Sequence, residues 1–522
     1  MTASGVRVHA GAYLDSLLLM AATVTMEESP GVQWAGAVMA TPRGLEELGA
    51  AGFGREDLAA AGGANDLVLA VRAGDEAAVE AALDAGWEAA FAERRQARED
   101  TAAHLPQSIA EAARASPDST VAVVSVPGEY AALEAHHALS AGLHVLLFSD
   151  GVPVEEEIEL KDRAATLGRL VMGPGAGTAV LSGTGLGFAN VLSAPARTGA
   201  GAVGIVAAAG TGAQEVSALL DRWGVPVSHV IGVGGRDLSE QVEGRMARPA
   251  VRALDRNPGT TAVLVVSKPP SPAAAAAVLA ECRSTPAVAV FLGLSDVETP
   301  AGVSVVRTLE EGAVAASGLA GGRVRPPSEG LREAVAAACA RLAPGRRTVH
   351  GLFSGGTLCY EAQLVLEDLV GPVHSNEPLR PAHGLPAPDG AHVLLDLGAE
   401  EYTRGVPHPM IDPSGRLELL RRQGEDADVA VVLLDVVLGH GSHADPAGAL
   451  APVCAELMAD GGPQVVAYVL GTEGDPQVYS RQRATLEEVG CLVPETNARA
   501  AYAAGALALR RPELAEGDSR TP

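Results

Sequence analysis

Only two lysines, Lys161 and Lys268, stand among the 38 strong cations of this chain; every other one is arginine. A composition rich in Ala, Gly, Arg and Pro replaces lysine with arginine where the chemistry allows, so a surviving lysine draws notice for its compact ammonium. Lys268 follows the apolar run TAVLVVSKPP (261–270), at the end of a predicted strand. An ammonium in that place can hold a phosphate or carboxylate oxygen and stabilise charge developing on it. The competing reading is a surface lysine in a turn. A second group, DVVLGHGSHAD, brings Asp435, His440, His443 and Asp445 together at another strand end, a set suited to metal binding or to general acid–base work. Its spacing matches no specific metal motif, so a hydrogen-bonded loop is the alternative and no metal is assigned. His408 and Asp412 in PHPMIDP carry the same two readings. Ser354, in FSGGT, sits at a strand-to-helix turn without the G-x-S-x-G pattern of a nucleophile elbow, which favours an oxyanion-binding hydroxyl. Asn376 and Arg380 lie on a long Pro-rich loop (372–390) and are candidates to clamp a small dianion.

The elements that must position these groups are visible as short runs rich in Val, Ile and Leu, each followed by a Gly-containing turn and an Ala/Leu-rich helical stretch. Examples are VAVVSVPG (121–128), HVLLFSDG (144–151), AVGIVAAAG (202–210), HVLLDLG (392–398) and VAVVLLDVVLG (429–439). This alternation predicts an α/β protein with parallel sheets buried on both faces. An internal repeat supports two homologous doubly wound domains: the order strand, Gly-rich turn, helix in AVGIVAAAGTGAQEVSALLDRWG (202–224) recurs in TVHGLFSGGTLCYEAQLVLEDLVG (348–371). In an open parallel sheet ligands bind at strand C-termini, where helix N-termini offer free N–H groups to anions. The turns Gly210–Gly212, Gly234–Arg236 (Gly234, Gly235, Arg236) and Ser354–Thr357 (Ser354, Gly355, Gly356, Thr357) are the predicted phosphate sites, with Thr211 in the first of them.

Length and composition bound the function. The 522 residues suit about three domains, and 47% hydrophobic against 20% charged residues fit a folded globular chain rather than a disordered one. The net charge of −26 disfavours nucleic acid and anionic membrane surfaces as partners while leaving room for a small anion in a local cationic pocket. Five scattered cysteines form neither a disulfide framework nor a zinc motif. No apolar run approaches about 18 residues and the N-terminus has no signal-peptide pattern, so a cytoplasmic protein is expected. The acidic stretch Glu155–Glu159 reads as a solvated helix start favoured by the helix dipole, and His136 and His137 as ordinary helix residues.

At this point a family resemblance emerges. VPGEYAALEAHHALSAGLHVLLFSDGVP, followed by RLVMGPGAGTAVL and GLGFANV, resembles the CoA-binding domain of the succinyl-CoA synthetase α subunit. Residues 203–240 resemble its second domain, and Gly356-Thr-Leu-Cys-Tyr-Glu361 is similar to the Gly-Thr-Leu-Thr-Tyr-Glu of the same family. Three such domains without an ATP-grasp module, with GAYLDS near the start and HPMIDP and GHGSHADP near the end, resemble the FdrA family in particular. The resemblance implies a Rossmann-like CoA-binding domain (1–195), two flavodoxin-like succinyl-CoA-synthetase-type domains (200–325 and 346–508) and a disordered tail (509–522). It implies CoA as cofactor on Gly11, Tyr13, Ser16, Arg43, Pro127, Ser149, Gly151, Pro174 and Gly175. The phosphate turn of that family is replaced here by Gly11-Ala-Tyr-Leu-Asp-Ser16, and its relay histidine has no counterpart in residues 291–317.

The expected function is therefore acyl-CoA or acyl-phosphate group transfer without a phosphohistidine. Lys268, His440, His443 and Asp435 are the candidate catalytic residues, and other protein subunits are the candidate partners. The resemblance also implies an alternative, carbamoyl transfer in purine nitrogen catabolism, from oxalurate and phosphate to oxamate and carbamoyl phosphate. A non-catalytic CoA- or metabolite-binding regulator is a third reading. Convergence of Lys268, the 354–357 turn and the 440–443 loop in one cleft separates enzyme from regulator.

Overall fold

The computed structural model describes residues 3–12, 14, 16–54, 58, 63, 65–99, 106–193, 201–294, 296–324, 327–404 and 406–517. The chain forms two compact units: Met1–Pro106 with Arg404–Pro407, and Gln107–Thr403 with His408–Pro522.

The small unit departs from the expected single Rossmann-like domain over residues 1–195. Its sheet has three strands in the order Ala3–His9, Leu67–Ala73, Val32–Met39, and both pairings are antiparallel. The central strand obeys the two-residue period: Leu67, Leu69, Val71 and Ala73 face one core with Met26 and Leu83, while Val68 and Ala70 face another with Leu48 and Phe53. Near-continuous hydrophobicity is what a strand buried on both faces requires, whichever way its neighbours run. That is why it reads like a parallel strand.

The large unit carries the expected α/β architecture in three sheets. The first is parallel, in the order Val121–Val124, His144–Leu147, Val171–Met172. The second has seven strands: Val303–Val306, Ala287–Phe291, Ala262–Ser267, Val203–Ala208, Val227–Gly232, then the hairpin Thr178–Leu181 and Thr184–Gly187 added antiparallel. The third has five parallel strands: Val373–His374, His392–Asp396, Thr348–Phe353, Val429–Val437, Gln464–Leu470. Setting aside the added hairpin, both of the latter sheets place the first strand of their repeat inside the sheet, with the next strands on either side, the doubly wound order that the repeat implies. One apolar core runs through both repeats, from Val203 and Leu219 to Leu358, Leu366 and Leu507.

Two further expectations change. The segment after Leu509 is ordered as far as Gly517: Pro512–Glu516 form a 3-10 turn and Ala515 is fully buried. The rest of the tail and most of the expected linker, 194–200, lie outside the described residues. The acidic stretch 155–159 is not wholly solvated, because Glu157 is fully buried. Its carboxylate meets Lys161 Nζ at 2.7 Å and Arg236 at 2.9 Å, and Lys161 also reaches Asp237 at 2.7 Å and the Val233 carbonyl at 3.0 Å. Of the two lysines, Lys161 is thus a structural clamp between the first and second sheets of this unit. Removing one member of a buried ion cluster strands the others. Lys161→Met is expected to lower unfolding stability by about 3 kcal/mol, read by urea denaturation; a loss below about 1 kcal/mol would show that Arg236 alone holds Glu157.

Candidate functional site

The strand order of each doubly wound sheet reverses at its first strand, and the strand ends at that point are where such sheets bind ligands. In the second sheet those ends deliver Gly210 and Lys268; in the third they deliver Ser354, Asp396 and Asp435. The two sets of strand ends face each other: a Cβ on Gly212 would lie 3.0 Å from Thr357, and one on Gly355 3.0 Å from Thr211. Helices Gly210–Arg222 and Gly356–Val370 begin there, and neither N-cap residue, Ala209 or Gly355, supplies a side-chain cap. The Thr357 N–H donates to Thr211 Oγ1 at 3.3 Å. Two helix N-termini thus converge, each with a partial positive charge.

Lys268 and Asp396 meet at the same place. A Cβ on Gly356 would collide with Asp396 Oδ2 and lie 3.4 Å from Lys268 Nζ, so only glycine lets the carboxylate come this close to the helix start. Lys268 is half-buried and has no hydrogen bond or ion pair among the described residues. Asp396 is 5% exposed; its Oδ1 accepts from the Gly398 N–H at 2.9 Å, and Oδ2 has no partner among the described residues. Desolvation pushes the Asp396 pKa up to about 6 against the pull of Lys268. Asn376, expected as an anion clamp, instead pairs reciprocally with the Asp396 backbone at 2.9 and 3.0 Å and fixes that residue in place. Arg380 is ion-paired to Glu367 at 3.0 Å.

Asp435 plays a different part from the expected catalytic one. It is fully buried; Oδ1 accepts from Ser354 N at 2.8 Å and Oγ at 2.9 Å, and Oδ2 from Gly355 N at 2.7 Å. Arg416, also buried, reaches Asp435 Oδ1 at 2.9 Å and donates to the Leu352 and Asp435 carbonyls. Asp435 is therefore a positioning residue that moulds the 354–355 turn and occupies the Ser354 hydroxyl, which is not free for an oxyanion. His408 borders the same pocket. A Cβ on Gly398 would lie 2.7 Å from His408 Nε2 and 3.2 Å from Asp396 Oδ1. The Met410 N–H donates to His408 Nδ1, so Nε2 is the donor of the neutral ring, and desolvation keeps that ring neutral by lowering its pKa.

The remaining sequence candidates lie elsewhere. His440 is exposed, and His443 Nδ1 accepts from the Asp445 N–H, which makes this segment a hydrogen-bonded loop. It touches the surroundings of the pocket where His443 N donates to the Met410 carbonyl. Lys268 and the 354–357 turn converge; no hydrogen bond joins either histidine ring to them among the described residues. Gly234 lies against Gly173 and Pro174 instead of Thr211, and Gly235 follows it there; Arg236 is committed to Glu157 and the Val152 carbonyl. Pro127, Ser149, Gly151, Pro174 and Gly175 do come together, at the strand ends of the three-stranded sheet: Ser149 Oγ donates to the Val126 carbonyl at 2.5 Å and Gly175 N to the Ser149 carbonyl at 2.9 Å. The Gly128–Ser140 helix beginning there has no side-chain cap and could receive a phosphate group. In the small unit, the Gly11 N–H is already given to Asp66 at 2.8 Å. Tyr13 and the side chains of Ser16 and Arg43 lie outside the described residues. Among the described residues no three His, Cys, Asp or Glu side chains form a metal-binding group, and no helix is long and apolar enough to cross a membrane.

Comparison with known proteins places this geometry among relatives. Residues 352–507 match the family model described as CoA-ligase, and residues 1–106 match the one described as AllF, heavy metal-associated domain. The chain is 36% identical over 499 residues to the uncharacterized protein YahF of Escherichia coli (strain K12), an overlap covering 93% of this chain and 95% of that one. It is 29% identical over 164 residues to the alpha 2 subunit of the ADP-forming succinate–CoA ligase of Archaeoglobus fulgidus, covering 31% of this chain and 54% of that relative. Among solved structures it is similar, at a TM-score of 0.33 and 14% identity, to the dinucleotide-forming acetyl-coenzyme A synthetase 1 of Ca. Korarchaeum cryptofilum in complex with phosphate and ADP, over 81% of this chain and 90% of that one.

Proposed function

Because this chain belongs to the family of the Escherichia coli protein YahF and carries a CoA-ligase segment, we propose that it is an enzyme subunit that transfers an acyl group to or from phosphate in the crevice between its two repeats. One observation carries this reading: two helix N-termini, linked where the Thr357 N–H meets the Thr211 hydroxyl, and an unpaired ammonium, Lys268, lie together at one half-buried place. Backbone dipoles and a lysine at a water-poor site stabilise an anion that is present at binding and grows at the reacting carbonyl. In the group transfer a phosphate oxygen bonds to the acyl carbon, the bond from that carbon to its leaving atom breaks, and a proton passes from phosphate to the leaving atom. No histidine in residues 291–317 is needed to carry the phosphoryl group. Membership of the FdrA family, and a carbamoyl donor such as oxalurate, belong to the same reading, since a carbamoyl group is an acyl group. CoA, expected from the resemblance, would lie on the turns around Pro127, Ser149–Gly151 and Pro174–Gly175, and its thiolate is one possible leaving group.

The test is a hydroxylamine trap for acyl phosphate. The purified protein, alone and with its neighbouring gene products, is given inorganic phosphate and either succinyl-CoA or oxalurate. Phosphate-dependent hydroxamate or hydroxyurea is expected, with kcat/KM about 100-fold lower for Lys268→Ala. Absence of a phosphate-dependent product with both donors, alongside tight CoA binding, would return the protein to the regulatory class.

A further inference from the structure

We propose that Asp396, which the sequence did not single out, is the proton-transfer residue of this crevice: its Oδ2 takes the proton of the incoming phosphate and passes it to the leaving atom of the acyl donor. The inference rests on the group-transfer reading above and adds the group that makes its proton balance close. Four features of the structure converge on it. Asp396 is the last residue of its strand, so its side chain enters the crevice at the switch point. One oxygen is anchored by the Gly398 N–H and the backbone is anchored by Asn376, which leaves Oδ2 oriented and free. That oxygen lies against the first residue of the Gly356–Val370 helix, on the side where Lys268 Nζ also lies. The residue is 5% exposed, and burial weakens the hydration that would otherwise favour its carboxylate.

The charged and titratable groups around it set where it titrates. Lys268, from the end of the 262–267 strand, favours the carboxylate; Asp435, from the 429–437 strand, and Glu377, from the Pro-rich loop, oppose it. Cys359 on the 356–370 helix is pushed up and stays a thiol, and His408 across Gly398 stays neutral. Burial is the largest influence, and the balance leaves the carboxyl near 6, where it can both accept and release a proton at neutral pH. In the reaction the phosphate oxygen loses its proton to Oδ2 as it bonds to the acyl carbon. Oδ2 then returns that proton to the nitrogen or sulfur that departs, and the carboxylate is regenerated.

The experiment compares wild type, Asp396→Asn and Lys268→Ala by the hydroxylamine trap between pH 5 and 9, with carboxyl infrared titration of the same proteins. Phosphate's own ionisation is common to all three and cancels in the comparison. Asparagine keeps the acceptor for Gly398 and the fold. Asp396→Asn is expected to lower kcat at least 100-fold with KM for phosphate within about threefold, to remove the rise in rate through pH 6, and to remove one carboxyl band titrating near 6. Lys268→Ala is expected to raise KM for phosphate and to move the Asp396 titration to higher pH, because the ammonium no longer favours the carboxylate. Product formation by Asp396→Asn within threefold of wild type, or an Asp396 band that titrates below pH 4.5, would overturn the assignment while leaving the group-transfer reading intact. Absence of product in the wild type would overturn that reading first.

Discussion

Asp435→Ala is expected to lower group transfer about 100-fold and to cost the large unit about 4 kcal/mol of stability. Both effects follow from one geometry. The two carboxylate oxygens receive Ser354 N and Oγ, Gly355 N and Arg416 Nη2. Alanine leaves the Arg416 guanidinium, 4% exposed, without its anion, and a buried charge stripped of its partner is among the most destabilising changes a core can suffer. Arg416 Nε already lacks a hydrogen-bond partner, so nothing nearby stands ready to replace the lost one. The same substitution releases the 354–355 turn that starts the 356–370 helix. That helix N-terminus then loses its aim at Lys268, and misplacement of a binding group by about 1 Å costs on the order of 100-fold in rate. Urea denaturation and the hydroxylamine trap read the two effects separately. Wild-type stability in Asp435→Ala would show that Arg416 is satisfied by carbonyls alone, and wild-type turnover would show that the turn does not depend on its carboxylate.

The second large effect concerns two buried glutamates that the internal repeat makes equivalent. Glu215 and Glu361 each lie five residues after the first glycine of their helix, and both are buried where the repeats pack. Glu361 accepts from Leu309 N at 2.6 Å and Asn497 Nδ2 at 2.8 Å; Glu215 accepts from Tyr468 Oη. Burial, with the nearby Glu215 charge, pushes Glu361 up to about 8, and burial pushes Glu215 up to about 7. Between pH 4.5 and 8 the unfolded chain ionises its glutamates while the folded chain keeps Glu361 protonated, so the folded state binds more protons. Stability owed to this group is therefore present in full below about pH 4.5, is lost as the pH rises, and is gone above about pH 8. Each pKa unit corresponds to about 1.4 kcal/mol, so the loss is on the order of 5 kcal/mol across the window. Glu361→Gln cannot ionise. Its stability relative to wild type should rise by on the order of 4 kcal/mol from pH 5 to pH 9, seen as several degrees in the difference of Tm values. A difference in Tm that stays constant with pH would mean that Glu361 is already ionised in the folded protein.

What the residues alone determined about this protein is its periodic part. Runs such as VAVVLLDVVLG bury every side chain, and the repeat of strand, Gly-Thr turn and helix at 202–224 and 348–371 prescribes two sheets with the same strand order, hence two crevices at known strand ends. Lys268 and the 354–357 turn were found by that rule, and they do meet. The small unit escaped it because a strand covered on both faces carries no mark of whether its neighbours run parallel or antiparallel. Asp435 was legible as an acid inside an apolar run, yet its role was not, since only the tertiary structure shows both of its oxygens filled. Asp396 gave no sequence signal beyond ending a strand. Its importance arises from a collision that glycine avoids at position 356 and from a lysine 128 residues earlier in the chain. Lys161 and Lys268 make the same point as a pair. They are the same rare residue, and burial among Glu157 and Asp237 commits one to holding the fold while its half-exposed counterpart keeps a free ammonium. Pairing is a property of three-dimensional neighbours, and the desolvation that makes a charge either structural or reactive is set by packing, which no local pattern of residues contains.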